Sequence, residues 1–529
     1  MENIDYDLRS VQEARNLARL GKIAADRIAE YTEEQIDKIL CNMVRVAEEN
    51  AVSLAKMAVE ETGFGKVEDK TYKNHMASTC VYNATKDMKT IGVIKEDTAE
   101  KVIEIAEPVG LVMGIVPSTN PTSTAIFKSI IAIKSRNAIV FSPHPAALKC
   151  TTKAIELMRD AAIEAGAPAN IIGSVTTPSM EATNELMKSK EVAMIIATGG
   201  PGMVRAAYSS GKPALGVGAG NSPSYIEKTA DVHQSVKDII ASKSFDYGTI
   251  CASEQSVIAE ECNYDKIVAE FKKQGGYFMT TEETKKVCNL LFKNGGHSMS
   301  AKFVGRSPQV IAAGAGISIP EGTKVLIGKQ DGVGDGYPLS YEKLTTVLAF
   351  YTVKDWHEAC ELSKKLLQNG LGHTMNIHTN DRSMVMKFAG KPASRILVNT
   401  GGSQGGTGAS TGLLPSFTLG CGTWGGSSVS ENVSPMHLIN IKRVAYGIKN
   451  CSTLAADDPT FNHPEVSGGN GAGCYSTSPA SYVAKCNCDS KVNYDADCYG
   501  TNPVPDNNDN NEKLAKLVSE LVAAMKGVK

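Results

Sequence analysis

The spacing of apolar positions changes character several times along this chain of 529 residues. From Leu8 to about Lys89, alanine, leucine and methionine recur at helical intervals among glutamates and lysines, with no proline, which predicts an all-helical opening. From about Val102 the apolar residues gather into short runs: Leu111 to Val116, Ala138 to Phe141, Ile171 to Val175, Ala193 to Ala197 and Ala214 to Val217. Helical stretches such as Ala146 to Ala165 separate them. That alternation predicts a parallel sheet with helices on both faces, whose ligand loops leave the C-terminal ends of the strands. A second series from Ser224 to about Leu419, with runs at Gln255 to Ala259, Val347 to Val353 and Arg395 to Val398, predicts another α/β domain.

From Cys451 to Asn511 large aliphatics thin out and Gly, Ser, Asn, Asp and Pro take over, as in a linker or loosely ordered extension. Beyond it Leu514, Leu517, Val518, Leu521, Val522 and Met525 form one apolar stripe opposite Lys513, Lys516, Glu520 and Lys526. A helix of about fifteen residues is marginal alone in water, so it needs a surface to cover its stripe. It either packs back on its own domain or, after the Asn/Asp/Pro linker, reaches another protein; the second reading is the expectation. The mildly basic polar face argues against a membrane surface.

Charge narrows the partners. Fifty-five basic and 57 acidic residues give a net charge of −2, so there is no basic footprint for nucleic acid or an anionic membrane. The expected partner is a small molecule. No apolar run approaches the ~18 residues of a membrane span, and the opening residues carry neither a basic segment nor an apolar core, so no secretory signal is expected. A cytoplasmic location is expected. Thirteen cysteines at irregular spacing read as free thiols. Cys474, Cys486, Cys488 and Cys498 cluster in the extension but match no paired metal-ligand spacing, so no metal is expected.

Three segments carry candidate chemistry. In Ser244-Phe245-Asp246-Tyr247-Gly248-Thr249-Ile250-Cys251-Ala252-Ser253 a thiol follows a glycine turn and precedes a strand. It suits a nucleophile, or is a small buried hydrophobe. In Pro117-Ser118-Thr119-Asn120-Pro121 an amide stands between a strand and a helix, able to meet developing negative charge or simply to make a turn. Thr198-Gly199-Gly200-Pro201-Gly202 offers backbone N–H groups to a phosphate, though it does not match GxGxxG.

Taken in order, Gly114-Ile115-Val116-Pro117-Ser118-Thr119-Asn120-Pro121, Ala197-Thr198-Gly199-Gly200-Pro201-Gly202-Met203-Val204, Gly216-Val217-Gly218-Ala219-Gly220-Asn221-Ser222-Pro223, Gly248-Thr249-Ile250-Cys251-Ala252-Ser253-Glu254-Gln255 and Leu397-Val398-Asn399-Thr400 resemble the aldehyde dehydrogenase superfamily, in its CoA-acylating branch. The resemblance runs from about residue 10 to about 450. Thr418-Leu419-Gly420-Cys421-Gly422-Thr423-Trp424-Gly425-Gly426 and Ser430-Glu431-Asn432-Val433 are similar to the aldehyde-oxidising half of bifunctional aldehyde/alcohol dehydrogenases; no counterpart of their iron-dependent half is expected.

The resemblance implies an α/β fold with a Rossmann-like, parallel-sheet cofactor domain, an α/β catalytic domain and a bridging strand pair for a homo-oligomer, a dimer or tetramer. The expected divisions are 1–223 for the N-terminal helices and NAD-binding domain, 224–420 for the thiol domain, and 421–450 for the return to the cofactor domain and the oligomerisation strand. The extension and linker take 451–511, and the terminal helix 512–529. It implies Cys251 as catalytic thiol, Asn120 as oxyanion-stabilising amide and His373 as a proton relay, unless that histidine is structural. Pro117, Ser118, Thr198, Gly199, Gly200 and Gly218 are implied as cofactor contacts, with Glu342 at the nicotinamide ribose. Ser142 stands where the family has a lysine on the adenosine ribose, and Val204 replaces a turn glycine, which leaves NAD against NADP open. Val217 stands where hydrolytic members carry the glutamate that activates water, and a valine cannot take a proton. The implied reaction converts a short-chain aldehyde such as propanal or ethanal, NAD and coenzyme A into acyl-CoA. A hydrolytic dehydrogenase and a non-catalytic scaffold are the alternatives. Residues 512–526 resemble the helices that direct such enzymes to a shell protein of a bacterial microcompartment.

Overall fold

Helices Tyr6–Ile28, Glu33–Glu49, Ala51–Thr62 and Val67–His75 open the chain. The second begins on a capping box in which Thr32 and Gln35 satisfy each other's backbone N–H groups. The last continues through Met76–Cys80, a wider turn, into Val81–Thr85. Their small apolar faces, Ala14, Ala18, Ala24 and Ile28 among them, are buried, which lets the helices lie close to the first sheet. The computed structural model describes residues 5–454 apart from 294, 295 and 297, and the compact unit to which the fold belongs ends at Cys451.

The first parallel sheet has five strands, in the order Ile172–Ser174, Ala138–Pro143, Leu111–Val116, Val192–Thr198, Ala214–Val217. Central Leu111–Val116 is buried at every position, the continuous apolar run of a strand covered on both faces. It is followed by Pro121–Lys134, a helix whose fourteen residues are all buried and whose Pro121 sits where a missing N–H costs nothing. Inside that helix Lys128 reaches back to the carbonyls of Ile115 (2.6 Å) and Ile196 (2.9 Å). Burial holds its ammonium well below the usual lysine range.

A second, seven-stranded parallel sheet runs Gly276–Phe278, Val325–Lys329, Val347–Val353, Glu254–Glu260, Ser222–Ile226, Gly372–His378, Ala393–Val398. Four of these strands were not marked by an apolar run in the sequence. Gly372–His378 shows why: all seven residues are buried, yet His373, Thr374, Asn376 and His378 are polar. A third sheet is antiparallel, Gly92–Asp97, Val102–Pro108 and Ile439–Ala445, so three strands stand where a pair was expected. Ile439–Ala445 pairs along its whole length with Val102–Pro108, an edge closed by residues more than 300 positions apart. No helix among the described residues is long and apolar enough to cross a membrane.

Candidate active site

Helix Val232–Ser244 joins strand Glu254–Glu260 through a tight turn over Phe245–Gly248, where Asp246 (φ 47°) and Tyr247 (φ 51°) take the left-handed conformation. Such backbone is costly for residues other than glycine and persists only where its surroundings hold it. Cys251 follows the turn. Beside it passes the segment from Val217 to Gly220, so close that a Cβ on Gly220 would stand 1.9 Å from the Cys251 carbonyl oxygen. Only glycine permits that approach.

Asn120 occupies the N-cap position of Pro121–Lys134 yet makes no cap bond. Its amide turns toward the cysteine loop, where Nδ2 donates to the Thr249 carbonyl at 3.1 Å. Its Oδ1 accepts from Lys73 Nζ at 2.7 Å.

His373 approaches from the second sheet, with Nε2 3.1 Å from Cys251 Sγ and Nδ1 2.8 Å from Thr374 Oγ1. Arg395 Nε donates to that same hydroxyl at 3.3 Å. A buried hydroxyl that receives a guanidinium proton has its own proton to give, and His373 Nδ1 is the acceptor beside it. This arrangement favours the tautomer with the ring proton on Nε2, facing the sulfur. Burial and the Arg395 charge hold His373 well below the usual histidine range, in its neutral form.

Cys251 is partly accessible through a cavity of about 350 Å³. Burial, then the Glu342 and Cys421 groups, push its thiol up to about 12, against the opposing charge of Arg395. The resting thiol is therefore neutral at physiological pH, and a donor on the sulfur favours the thiolate. Glu342 lines the same cavity, and its Oε1 accepts from the Gly220 N–H at 2.9 Å. Burial raises its carboxyl to about 7. The cavity thus contains a carboxylate even though Val217, also on its wall, is apolar.

Pro117, Ser118, Asn120, Ser142, Thr198, Gly199, Gly200, Gly218, Cys251 and Glu342 all line this one cavity. His373 reaches it only through the sulfur. A Cβ on Gly200, Gly202 or Gly218 would meet nothing within 4 Å, so the turn before helix Pro201–Tyr208 is an open glycine cradle at a helix N-terminus, where a phosphate is favoured. These residues fit a dinucleotide. Ser142 Oγ lies 2.9 Å from Thr183 Oγ1, so the two hydroxyls occupy the edge where a lysine was absent from the sequence.

Sequence reasoning missed Lys73, Asp246, Thr374 and Arg395. Two of them carried a signal, Thr374 by being adjacent to His373 and Asp246 by lying in the segment around Cys251. Among the described residues no group of three or more His, Cys, Asp or Glu gathers as metal ligands. The Cys474, Cys486, Cys488 and Cys498 cluster and the helix at 512–526 lie outside the described residues.

The family model "Aldehyde dehydrogenase family" matches residues 5–281. The bifunctional aldehyde-alcohol dehydrogenase AdhE of Escherichia coli is 49% identical over 448 residues, which are 83% of this chain and 50% of that protein. The chain thus spans about half the length of that relative. The acetylating succinate-semialdehyde dehydrogenase of Clostridium kluyveri is 42% identical, over 82% of this chain and 95% of its own. Among solved structures, an acetylating aldehyde dehydrogenase from Geobacillus thermoglucosidasius superposes with a TM-score of 0.83 at 54% identity, covering 84% of this chain and 99% of that one. A Rhodopseudomonas palustris propionaldehyde dehydrogenase with bound propionyl-CoA superposes at 0.76 and 26% identity, over 82% and 94%. With the family model matching more than half of its residues and a relative 42% identical over nearly that relative's whole length, the chain belongs to the aldehyde dehydrogenase family.

Proposed function

We propose that this protein is an NAD-dependent, CoA-acylating aldehyde dehydrogenase acting on a short-chain aldehyde such as propanal or ethanal. The observation that carries the reading is that Cys251, with His373 Nε2 3.1 Å from its sulfur, and Asn120, bonded to the Thr249 carbonyl of the cysteine loop, line one cavity that also contains the open glycine cradle. The Cys251 thiol gives its proton to water, and the resulting thiolate, its charge offset by the His373 Nε2–H, adds through Sγ to the aldehyde carbonyl. The new oxyanion takes a hydrogen bond from the Asn120 amide and the Cys251 N–H. The glycine cradle would hold NAD, which would take the hydride from the thiohemiacetal carbon, and what then remains on Cys251 is an acyl thioester. The thiol of coenzyme A then attacks that thioester, forming the new C–S bond as the Cys251 thiolate leaves. Aldehyde, NAD and coenzyme A give acyl-CoA, NADH and a proton.

Transfer to coenzyme A rather than to water is favoured by Val217, which has no proton-accepting atom, and by the engagement of Glu342 Oε1 with Gly220. NADH absorbance followed with aldehyde, with and without coenzyme A, in the wild type and Cys251→Ala, tests the reading. CoA-dependent turnover that vanishes in Cys251→Ala supports it. Robust CoA-independent turnover assigns hydrolysis instead, with Glu342 the base to test, and no turnover with any aldehyde assigns a scaffold.

The apolar stripe at 512–526 supports a second element of the proposal, cargo of a bacterial microcompartment held by a shell protein. A Clostridium phytofermentans propionaldehyde dehydrogenase from such a compartment resembles this chain at a TM-score of 0.76 and 27% identity. Deletion of residues 512–529 leaves turnover intact and abolishes co-purification with shell proteins; unchanged association would remove this element. Strand Ile439–Ala445 is the proposed bridge of a homo-oligomer, a dimer or tetramer.

A further inference from the structure

Lys73 is among the largest fully buried side chains, and it lies in a helix that sequence reasoning connected with no chemistry. Its three ammonium protons have three acceptors: Asp246 Oδ2 at 2.5 Å, Asn120 Oδ1 at 2.7 Å and Thr249 Oγ1 at 2.9 Å. An ammonium only donates. The amide oxygen of Asn120 must therefore face Lys73, and its NH2 must face the cysteine loop and the cavity. One N–H goes to the Thr249 carbonyl, and the other has only a long 3.3 Å contact with Thr119 Oγ1.

Lys73 is itself fixed from below. Asp246 Oδ2 also accepts Lys70 Nζ at 2.9 Å and the Thr249 hydroxyl at 2.7 Å, while Oδ1 takes the Lys66 N–H at 2.8 Å. The Asp246 N–H is held by Asp69 Oδ2 at 2.7 Å. A Cβ on Gly65 would stand 1.8 Å from Asp246 Oδ1, so the chain comes as near to this carboxylate as a backbone can. Lys70 and Lys73 share one buried carboxylate, and the excess positive charge lies on the oxygen side of the Asn120 amide. It draws electron density toward that oxygen and makes the opposite N–H groups better donors.

We infer that Lys73, seated on Asp246, is a positioning residue that holds the Asn120 amide in the one orientation able to donate to the oxyanion. Lys73 does not touch the aldehyde; it acts through Asn120. The inference rests on the proposed role of Asn120, and the experiment separates the two.

Steady-state kinetics of CoA-dependent aldehyde oxidation are measured for Lys73→Met, Asn120→Ala and the double variant, alongside the rate at which iodoacetamide alkylates Cys251, read on its own peptide by mass spectrometry. Removing one oxyanion donor lowers kcat roughly 10²- to 10³-fold, and Lys73→Met is expected to approach that loss with KM little changed. The double variant falls no further than Asn120→Ala. Alkylation forms no oxyanion, so its rate stays near the wild-type value; a merely structural defect at the cysteine loop would move it. Lys73→Met leaves Asp246 buried without its nearest counter-charge, so Lys73→Met/Asp246→Asn, which removes both charges, is run beside it and is expected to show the same kcat loss. A kcat within about threefold of wild type in both Lys73 variants overturns the inference, as do strictly multiplicative losses in the double variant. Full activity of Asn120→Ala overturns the underlying reading of Asn120 instead.

Discussion

Two carboxylates flank Cys251 closely in the chain, Asp246 before it and Glu254 after it, and the protein drives them in opposite directions. Both are fully buried. Asp246 faces Lys73 and Lys70, and although burial opposes ionisation, the two ammoniums hold it below the usual aspartate range. Glu254 accepts instead from the neutral donors Asn376 Nδ2 (2.9 Å) and the Gly402 N–H (2.6 Å), and burial raises it to about 7. Burial alone therefore does not decide whether a carboxyl is charged; what decides is whether a full positive charge stands within hydrogen-bond reach. The Asn120 side of the thiol is accordingly an ionic environment with fixed donor directions. On the His373 side the one guanidinium, Arg395, hydrogen-bonds the Thr374 hydroxyl rather than the imidazole, so the directions there depend on that hydroxyl.

That contrast can be broken or sharpened by experiment. The largest effect concerns the sulfur between the two sides. With the thiol pushed up to about 12, the thiolate fraction of the cofactor-free protein rises about tenfold per pH unit below that midpoint. Alkylation of Cys251 by iodoacetamide is expected to climb by about 10⁴ between pH ~6 and ~10, and a plateau near pH ~8 would show a thiol less perturbed than its surroundings imply.

Next comes Asn120→Ala, with a roughly 10²- to 10³-fold loss of kcat and an unchanged alkylation rate, as an effect on the oxyanion but not on the thiol requires. Smaller is Thr374→Val, which removes the hydroxyl between Arg395 and His373 without changing side-chain shape. With its donor gone, Nδ1 no longer fixes the ring proton on Nε2, and alkylation of Cys251 at neutral pH is expected to fall about tenfold, the ~1.4 kcal/mol of one ordinary hydrogen bond, with Thr374→Ser restoring it. Equal rates in the valine and threonine proteins would show that the tautomer is set elsewhere.

The smallest effect is on stability. Burial raises the Glu254 carboxyl to about 7 in the folded chain from an ordinary 4.5, so the native state holds that proton more tightly. Its contribution is fully present below about 4.5 and is lost as pH rises through about 7. Glu254→Gln is expected to flatten the fall of Tm across that window relative to wild type; parallel curves would show Glu254 ionised throughout, like Asp246.

Much of the architecture was legible because buried parallel strands read as uninterrupted apolar runs. Ala214–Val217 and Val347–Val353 have the limits the sequence suggested. Gly372–His378 was illegible for the opposite reason, since a strand that carries His373, Thr374 and Asn376 gives up the hydrophobic signature by which strands are recognised. The site divides in the same way. Cys251 and Asn120 lie in loops after recognisable elements, and the motifs around them pointed to chemistry. Lys73 lies in an ordinary helix, with partners 47 and 173 residues away along the chain. Nothing in the local pattern of Tyr72-Lys73-Asn74 distinguishes a buried ammonium from a solvated one; only the fold brings Asp246 to it.

The absence of a side chain at Gly220, where the backbone runs against the Cys251 carbonyl, sets a rule for anyone redesigning this protein to accept bulkier aldehydes. That approach cannot be relaxed, because no smaller residue exists to substitute there and any larger one would push the Cys251 loop away. Room has to come from larger side chains that line the chamber, Phe417 and Leu419, which are far from Cys251 in the chain and can be trimmed without altering its loop sequence.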